Sequence, residues 1–185
     1  MYTLLLVDDE EDVIEVIERK VSWEQIGFHV VGHAGNGFKA LEMMEDMQPD
    51  VVMTDIRMPY MDGLELCSNI RQRFPATKLL LFTGFDDFEY AKEAVHLEIE
   101  EYILKPLNLA EITEVFKKLK TKLDDELNEK KNADILKKYY AASLPVLQSN
   151  FYTTLIEGRI PENELGRYMR DYQIELDGPY YCCII

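Results

Sequence analysis

The chain has 185 residues, 47% of them hydrophobic and 30% charged, and its formal net charge is −15. This balance is ordinary for a soluble globular protein, and the acidity disfavours a nucleic-acid-binding surface, which needs a basic stripe. No apolar run approaches the roughly 20 residues of a membrane span. The three cysteines and three histidines lack metal-ligand spacing and favour a reduced, cytoplasmic protein.

The first 106 residues alternate between short apolar runs and helical patterns. The apolar runs predict five buried strands, at residues 3–7, 28–32, 51–54, 78–83 and 102–104. Helical patterns lie at about residues 11–20, between Gly37 and Pro49, before Pro75, at about residues 86–96 and from near Leu109. Buried runs separated by helices are typical of parallel strands, so we predict an α/β fold with a doubly wound parallel sheet.

The heptad-like spacing of apolar residues in the last of these helices stops after Leu123. Glu126 and Lys130 occupy the next seam positions, whereas a long coiled coil needs several unbroken apolar heptads. The sequence therefore predicts a charged helical linker at residues 122–143, after a first domain of residues 1–121.

Residues 144–185 carry two further helical patterns and a final apolar run. Pro145 is a favoured first-turn residue and predicts a helix that begins there, and a second helix is predicted from Pro161 to Tyr172. The apolar run at residues 180–185 predicts a strand. Because a domain rarely finishes on an unprotected apolar strand, we expect a partial middle region that is truncated at the chain end.

Polar side chains lie at the ends of four of the predicted strands. Asp8 and Asp9 come after the first strand, Asp55 after the third and Lys105 after the fifth, and Thr83 is the last residue of the fourth. The carboxyl ends of parallel strands lie along one edge of a sheet, where ligands bind. Three carboxylates, a hydroxyl and an ammonium at one edge suit a hard cation such as Mg²⁺ and a phosphoryl group.

Each of these motifs alone also has an ordinary explanation. Asp8 and Asp9, followed by the acidic residues 10–12, fit the negatively charged start of a helix, and Asp62 fits a helix N-cap. Beside a metal, Asp55 could act as a nucleophile toward phosphorus. A phosphatase with two aspartates in this motif would need a second acid at position 57, where Arg57 stands, and that reading is disfavoured.

The complete set of motifs resembles the receiver (CheY-like) domain of two-component response regulators, which has a flavodoxin-like five-stranded parallel sheet. The resemblance covers residues 1–121 and is carried by the segments Val7-Asp8-Asp9-Glu10, Asp55-Ile56-Arg57-Met58-Pro59, Asp62-Gly63, Thr83-Gly84 and Lys105-Pro106. It implies a phosphoprotein that accepts a phosphoryl group from a sensor histidine kinase. The resemblance implies that the protein is not an enzyme, apart from catalysing its own phosphoryl transfer and a slow autodephosphorylation.

The resemblance also assigns roles to single residues. Asp55 matches the phosphoacceptor, Asp9 and Asp55 match Mg²⁺ ligands, and Asp8 matches the acid that orients metal and water. The main-chain carbonyl of Arg57 matches the third protein ligand. The residues matching the phosphoryl-binding and switch positions are Thr83, Lys105 and the aromatic Tyr102.

Two further expectations concern the lifetime and the surface of the phosphorylated form. Arg57 and Phe85 are bulky and flank the site, so we expect them to hinder water and slow autodephosphorylation. The surface formed by the helix at residues 86–96, the strand at residues 102–104 and the helix from Leu109 is the expected switch and the candidate homodimer interface.

The sequence shows no effector motif, so the output is inferred indirectly. Residues 21–27, 30–37, 84–91 and 144–158 resemble the matching segments of receivers joined to AraC-type DNA-binding domains, so we expect transcription regulation, with DNA bound only through a missing C-terminal domain. Two alternatives stay open: a receiver that controls an enzymatic output, and a stand-alone receiver that acts by protein contact. No membrane partner is expected.

Overall fold

A computed structural model of the chain describes residues 1–84, 97–106 and 108–175. The strands are β1 (Tyr2–Val7), β2 (Phe28–Ala34), β3 (Val51–Asp55), β4 (Lys78–Thr83) and β5 (Glu101–Leu104). The helices of the described residues are α1 (Glu11–Lys20), α2 (Trp23–Ile26), α3 (Gly37–Met47), α4 (Gly63–Arg73), α5 (Leu109–Ile156) and α6 (Glu162–Asp171). The helix predicted at residues 86–96 and the strand predicted at residues 180–185 lie outside the described residues.

The five strands form one sheet in the order β2-β1-β3-β4-β5, and all four pairings are parallel. The predicted α/β class and parallel sheet are therefore confirmed. The strand order reverses at β1, which pairs with β2 on one side and with β3 on the other. Such a switch point is where open α/β sheets bind their ligands.

The sheet is buried on both faces, because successive side chains of each strand point to opposite sides. In β1, Leu4 and Leu6 belong to one apolar cluster, whereas Leu5 and Val7 belong to the other. The first cluster includes residues of α1, α2 and α5, and the second includes residues of α3 and α4. In the first, the Phe116 ring packs edge-on at 4.7 Å from the Trp23 ring.

Two of the helices begin with the side-chain caps that their sequences indicate. The Asn36 side chain accepts a hydrogen bond from the backbone N–H of Lys39 at the start of α3. Asp62 accepts one from the backbone N–H of Glu65 at the start of α4. The assignment of Asp62 to a helix N-cap is therefore confirmed, and Asp62 takes no part in the acidic cluster described below.

The chain divides into two compact units, Met1–Asp125 and Glu126–Ile185. The prediction that a helix begins at Pro145 is wrong, because α5 continues through this residue. Proline inside a helix removes one N–H donor and tends to bend the helix, but the helix can continue beyond it. The division into residues 1–121, 122–143 and 144–185 stays a prediction.

The second unit has a small aromatic core of its own. Phe151 is buried, and its ring centroid lies 6.5 Å from Tyr168 and 6.3 Å from Tyr172. Gln148 donates a hydrogen bond to the backbone carbonyl of Tyr172 at 3.0 Å, which joins α5 to the end of α6. Within the described ranges, no helix combines the length and the apolar character that a membrane span needs.

Candidate functional site

Three carboxylates meet where β1 and β3 end side by side. Asp8 and Asp9 directly follow β1, and Asp55 is the last residue of β3. Ligand oxygens of the three side chains lie within 4.8 Å of one another. Asp8 is fully buried and Asp55 is 6% exposed, whereas Asp9 reaches solvent. The structure therefore brings these three carboxylates together at the sheet edge, as the sequence predicts.

The ammonium group of Lys105 lies against this cluster. Its Nζ is 3.0 Å from Asp8 Oδ2, 3.3 Å from Asp55 Oδ1 and 3.6 Å from Glu10 Oε1. The backbone holds Lys105 in place, because its N–H donates to the carbonyl of Thr83 at 2.7 Å. The pairing of β4 with β5 therefore brings this lysine to the carboxylates.

Among the described residues, nothing donates a hydrogen bond to one of the two Asp55 side-chain oxygens. Its Oδ2 accepts a hydrogen bond from the backbone N–H of Arg57 at 3.0 Å, but the buried Oδ1 has no hydrogen-bond partner in the part of the chain that the structure describes. Lys105 is near Oδ1 as a charge, outside hydrogen-bonding geometry. A buried polar atom without a partner is costly. Carboxylate oxygens are the ligands that Mg²⁺ prefers, so the donor set fits a hard cation.

Burial dominates the electrostatics of the acids. It raises the pKa of Asp55, the neighbouring charge of Asp8 raises it further, and the charge of Lys105 opposes both. Burial likewise raises the pKa of Asp8. Burial lowers the pKa of Lys105, but its hydrogen bond to Asp8 and the charge of Asp55 outweigh burial and raise it. Lys105 therefore stays cationic, and one ammonium serves more than one carboxylate.

Gly63 allows the loop after β3 to close against Asp55. A Cβ atom on Gly63 would lie 2.0 Å from the backbone oxygen of Asp55, and the Gly63 N–H donates to the carbonyl of Ile56 at 2.7 Å. No side chain fits this approach. The role of Gly63 could not be derived from its place at the start of α4, because the contact is between backbone segments that only the fold brings together.

The other predicted residues lie around the cluster. Thr83 is buried at the end of β4, and Tyr102 is half-buried in β5 opposite Leu81. Arg57 is exposed and reaches Asp55 through its backbone N–H. That its carbonyl binds a metal stays a prediction. Phe85 lies outside the described residues.

Glu10 is a site residue that sequence reasoning missed. Its position at the start of α1 indicated only a favourable charge at a helix N-terminus. In the structure its carboxylate is the third one beside Lys105, and its backbone N–H donates to Asp8 Oδ1 at 2.8 Å. The only available signal was its place directly after the aspartate pair.

Residues 4–117 match the response regulator receiver domain. The chain belongs to this family. Receiver domains bind Mg²⁺ at an acidic pocket, and Asp8, Asp9 and Asp55 form such a cluster here. These domains are generally not enzymes, and their place in two-component systems implies a kinase partner.

The receiver chain is similar to two transcriptional regulators. It is 37% identical over 138 residues to YesN of Bacillus subtilis, an uncharacterized transcriptional regulatory protein; the match covers 75% of this chain and 36% of YesN. It is 26% identical over 166 residues to the transcriptional regulatory protein HptR of Staphylococcus aureus, covering 88% of this chain and 64% of HptR. The chain thus spans less than two thirds of the length of these relatives.

Solved structures give the same fold. The receiver domain of AraT, a response regulator from Geobacillus stearothermophilus, is 36% identical with a TM-score of 0.65, covering 68% of this chain and 98% of that one. A two-component transcriptional regulator AraC from Clostridium phytofermentans is 29% identical with a TM-score of 0.60, covering 69% and 99%. The predicted receiver fold is confirmed.

Proposed function

We propose that this chain accepts a phosphoryl group on Asp55 from a sensor histidine kinase and relays the change to a transcription-regulating output. The observation that carries the proposal is the buried Asp55 Oδ1, which has no hydrogen bond to any described residue and lies 3.3 Å from the Lys105 ammonium. A carboxylate oxygen left unbonded beside a fixed cation is suited to form a bond to an incoming phosphoryl group.

Asp8, Asp9, Asp55 and the main-chain carbonyl of Arg57 would hold Mg²⁺. When bound, the metal supplies positive charge that offsets the repulsion between carboxylates and phosphoryl oxygens, on the order of 4 kcal/mol per unit-charge pair at 4 Å. Among the residues themselves, Asp8 is fully buried and stays close to Lys105, so it fixes one side of the pocket. Asp9 is exposed and lies on the solvent side of the cluster.

The transfer is a displacement at phosphorus. A carboxylate oxygen of Asp55 forms the new P–O bond, the P–N bond to the donor histidine breaks, and the histidine nitrogen keeps the electron pair. Lys105 binds a phosphoryl oxygen as a point charge. Thr83 donates its hydroxyl to another. Phosphorylation would therefore add acceptor oxygens for two donors at the strand ends.

The effect of the phosphoryl group would be transmitted by a conformational change in β5. Thr83 ends β4, and Tyr102 lies in the neighbouring strand, so a shift of the threonine toward phosphate opens space for the tyrosine ring. The surface of residues 86–96, β5 and the start of α5 would respond, and it is the candidate homodimer interface. Phosphorylation would shift the population of an existing active form.

The direct test is labelling with a small-molecule phosphodonor and Mg²⁺. We expect Asp55→Asn to abolish stoichiometric labelling, because the acceptor oxygen is replaced by an amide. Asp62→Asn is the matched control: it removes a nearby acidic charge but keeps the helix cap, since asparagine caps as well as aspartate. Labelling of the Asp55→Asn variant at the wild-type level would overturn the proposal.

Arg57 and Phe85 would set the lifetime of the phosphorylated form by hindering water. Arg57→Asn and Phe85→Ala should each shorten the half-life of the labelled protein, whereas Arg57→Lys, which keeps a long cationic side chain, should change it less. If the labelled Arg57→Asn and Phe85→Ala proteins both have the half-life of the wild-type protein, these residues do not set the lifetime.

The output we propose is transcription regulation through an AraC-type DNA-binding domain that this chain does not contain. Support comes from the similarity to YesN and HptR, which are transcriptional regulatory proteins, and to the regulator AraC. The test is the coding sequence downstream of Ile185. A basic pair of helix-turn-helix motifs supports the proposal, whereas a cyclase or phosphodiesterase motif, or no further domain, overturns it.

A further inference from the structure

Lys105 is shared by three carboxylates that differ in their access to water. The side chain of Asp8 is 0% exposed and that of Asp55 is 8% exposed, whereas the side chain of Glu10 is 66% exposed. An ammonium group has three N–H donors and no acceptor. Asp8 accepts a hydrogen bond from the Lys105 ammonium, whereas Asp55 and Glu10 lie at ion-pair distances of 3.3 and 3.6 Å.

A phosphoryl oxygen that binds Lys105 must take a place beside an ammonium group that already has three anionic neighbours. Asp8 is the carboxylate least able to release the lysine, because it is buried and would lose a hydrogen bond of 3.0 Å. Asp55 is the group that becomes phosphorylated. Glu10 can return to water at low cost, because an exposed ion pair contributes little free energy.

The backbone of Glu10 stays fixed while its side chain can leave. Its N–H donates to Asp8, and its carbonyl accepts from the N–H groups of Val13 and Ile14 in the first turn of α1. Its carboxylate makes no side-chain cap to α1. Only side-chain rotation therefore separates the position beside Lys105 from one in solvent.

We infer that Glu10 is a positioning residue that occupies Lys105 before phosphorylation and competes with the phosphoryl group for it. The inference rests on the proposed function, because it assigns Lys105 to a phosphoryl oxygen. Its consequence is that the strength of the Glu10–Lys105 contact sets how tightly a phosphoryl group is held.

The test separates the contact from the charge with three variants of the full chain. Glu10→Asp keeps the charge but shortens the side chain by one methylene, which withdraws the carboxylate from Lys105. Glu10→Gln removes the charge and the ion pair. Glu11→Gln removes a charge from the next position, where the described structure contains no ion pair, and is the matched control.

Beryllofluoride is the probe of phosphoryl affinity, titrated by calorimetry at saturating Mg²⁺. We expect Glu10→Asp and Glu10→Gln to bind it about two- to five-fold more tightly than wild type, the range that an exposed ion pair allows. Glu11→Gln should bind it like wild type. Titration with Mg²⁺ alone should give wild-type affinity for Glu10→Asp and weaker binding for Glu10→Gln, because only the second variant loses a negative charge.

Each other outcome counts against the inference. Wild-type beryllofluoride affinity in Glu10→Asp shows that the contact does not compete, and weaker binding in either Glu10 variant shows that Glu10 assists phosphoryl binding. An equal gain in Glu11→Gln shows that only the overall charge matters. If the wild-type protein does not bind beryllofluoride at all, that result overturns the proposed function and is distinguishable from the outcomes above.

Discussion

The two ends of the β4–β5 pair carry charged clusters that are built in opposite ways. At the carboxyl end, buried Asp8 and Asp55 share Lys105, and burial raises the pKa of both acids. At the other end, Glu100 lies between two lysines, with Lys122 Nζ at 2.6 Å and Lys78 Nζ at 3.4 Å. Burial also acts on Glu100, but the hydrogen bond from Lys122 and the charge of Lys78 outweigh it and lower the pKa.

The difference lies in which charge is in excess. Two cations around one carboxylate satisfy it, so the Glu100 cluster stabilises the fold. At the opposite end the carboxylates outnumber the cation beside them, and one buried oxygen has no hydrogen bond within residues 1–84, 97–106 and 108–175. Such an arrangement costs stability unless a further cation joins it. The molecule therefore keeps its electrostatic strain at the edge where chemistry is proposed.

The largest effect is expected where the backbone supports the strained end. Gly63→Ala places a Cβ atom 2.0 Å from the backbone oxygen of Asp55, and backbone atoms cannot rotate away. We expect the free energy of unfolding to fall by about 3 kcal/mol, at the upper end of overpacking costs. Alanine favours a helix over glycine by about 1 kcal/mol, and this gain in stability is smaller than the steric loss. Urea unfolding measures it.

Gly35→Ala is the control for this variant. Its Cβ atom would lie 3.9 Å from the backbone oxygen of Asp8, an ordinary contact at the same edge of the sheet. We expect a change in unfolding free energy below about 1 kcal/mol. Equal stability of the two alanine variants would contradict the close packing of the loop under Asp55.

A smaller effect of opposite sign is expected at Asp55. Asn has nearly the shape of Asp but no charge, so Asp55→Asn should raise the metal-free unfolding free energy by about 1 kcal/mol. Mg²⁺ at a hundredfold of its dissociation constant should stabilise the wild-type protein by about 2.7 kcal/mol, and the variant by much less. Asp62→Asn should behave like wild type with and without Mg²⁺. If Asp55→Asn is less stable than wild type without metal, the charge of Asp55 does not destabilise the metal-free protein.

The sequence could predict the sheet and the convergence of the site because both follow from one-dimensional order. Apolar runs at fixed intervals determine which strands are buried, and the strand ends then share an edge. Pro145 shows the limit of such reasoning. A proline that suits the first turn of a helix can also lie inside a longer helix, and only the neighbouring turns decide between the two.

The sequence also could not predict which other side chains contact the site. Asp8, Asp9 and Asp55 could be placed together because each directly ends or follows a strand. Glu10 is one residue further along, where a side chain can point to solvent, to the helix or to the site. Its contact with Lys105 depends on rotamers and on the position of β5, which no local pattern contains.

The smallest effect is expected at the satisfied end and depends on pH. Glu100→Gln keeps the shape but removes the charge between Lys78 and Lys122, so we expect a loss of about 0.5–1 kcal/mol at pH 7. Because folding lowers the pKa of Glu100 from its ordinary value of 4.5, its contribution is present above that value and lost as the pH falls through the folded pKa. The stability gap between wild type and variant should therefore close in acid.

Urea unfolding at pH 7 and at successively lower pH measures this gap, and taking the difference cancels the titration of the other carboxylates. Glu101→Gln is the matched control, because it removes an exposed charge from the adjacent residue of β5. It should leave stability nearly unchanged at every pH. A gap for Glu100→Gln that persists at low pH would mean that shape, and not charge, stabilises this end of the sheet. The contrast with the strained carboxyl end would then rest on packing.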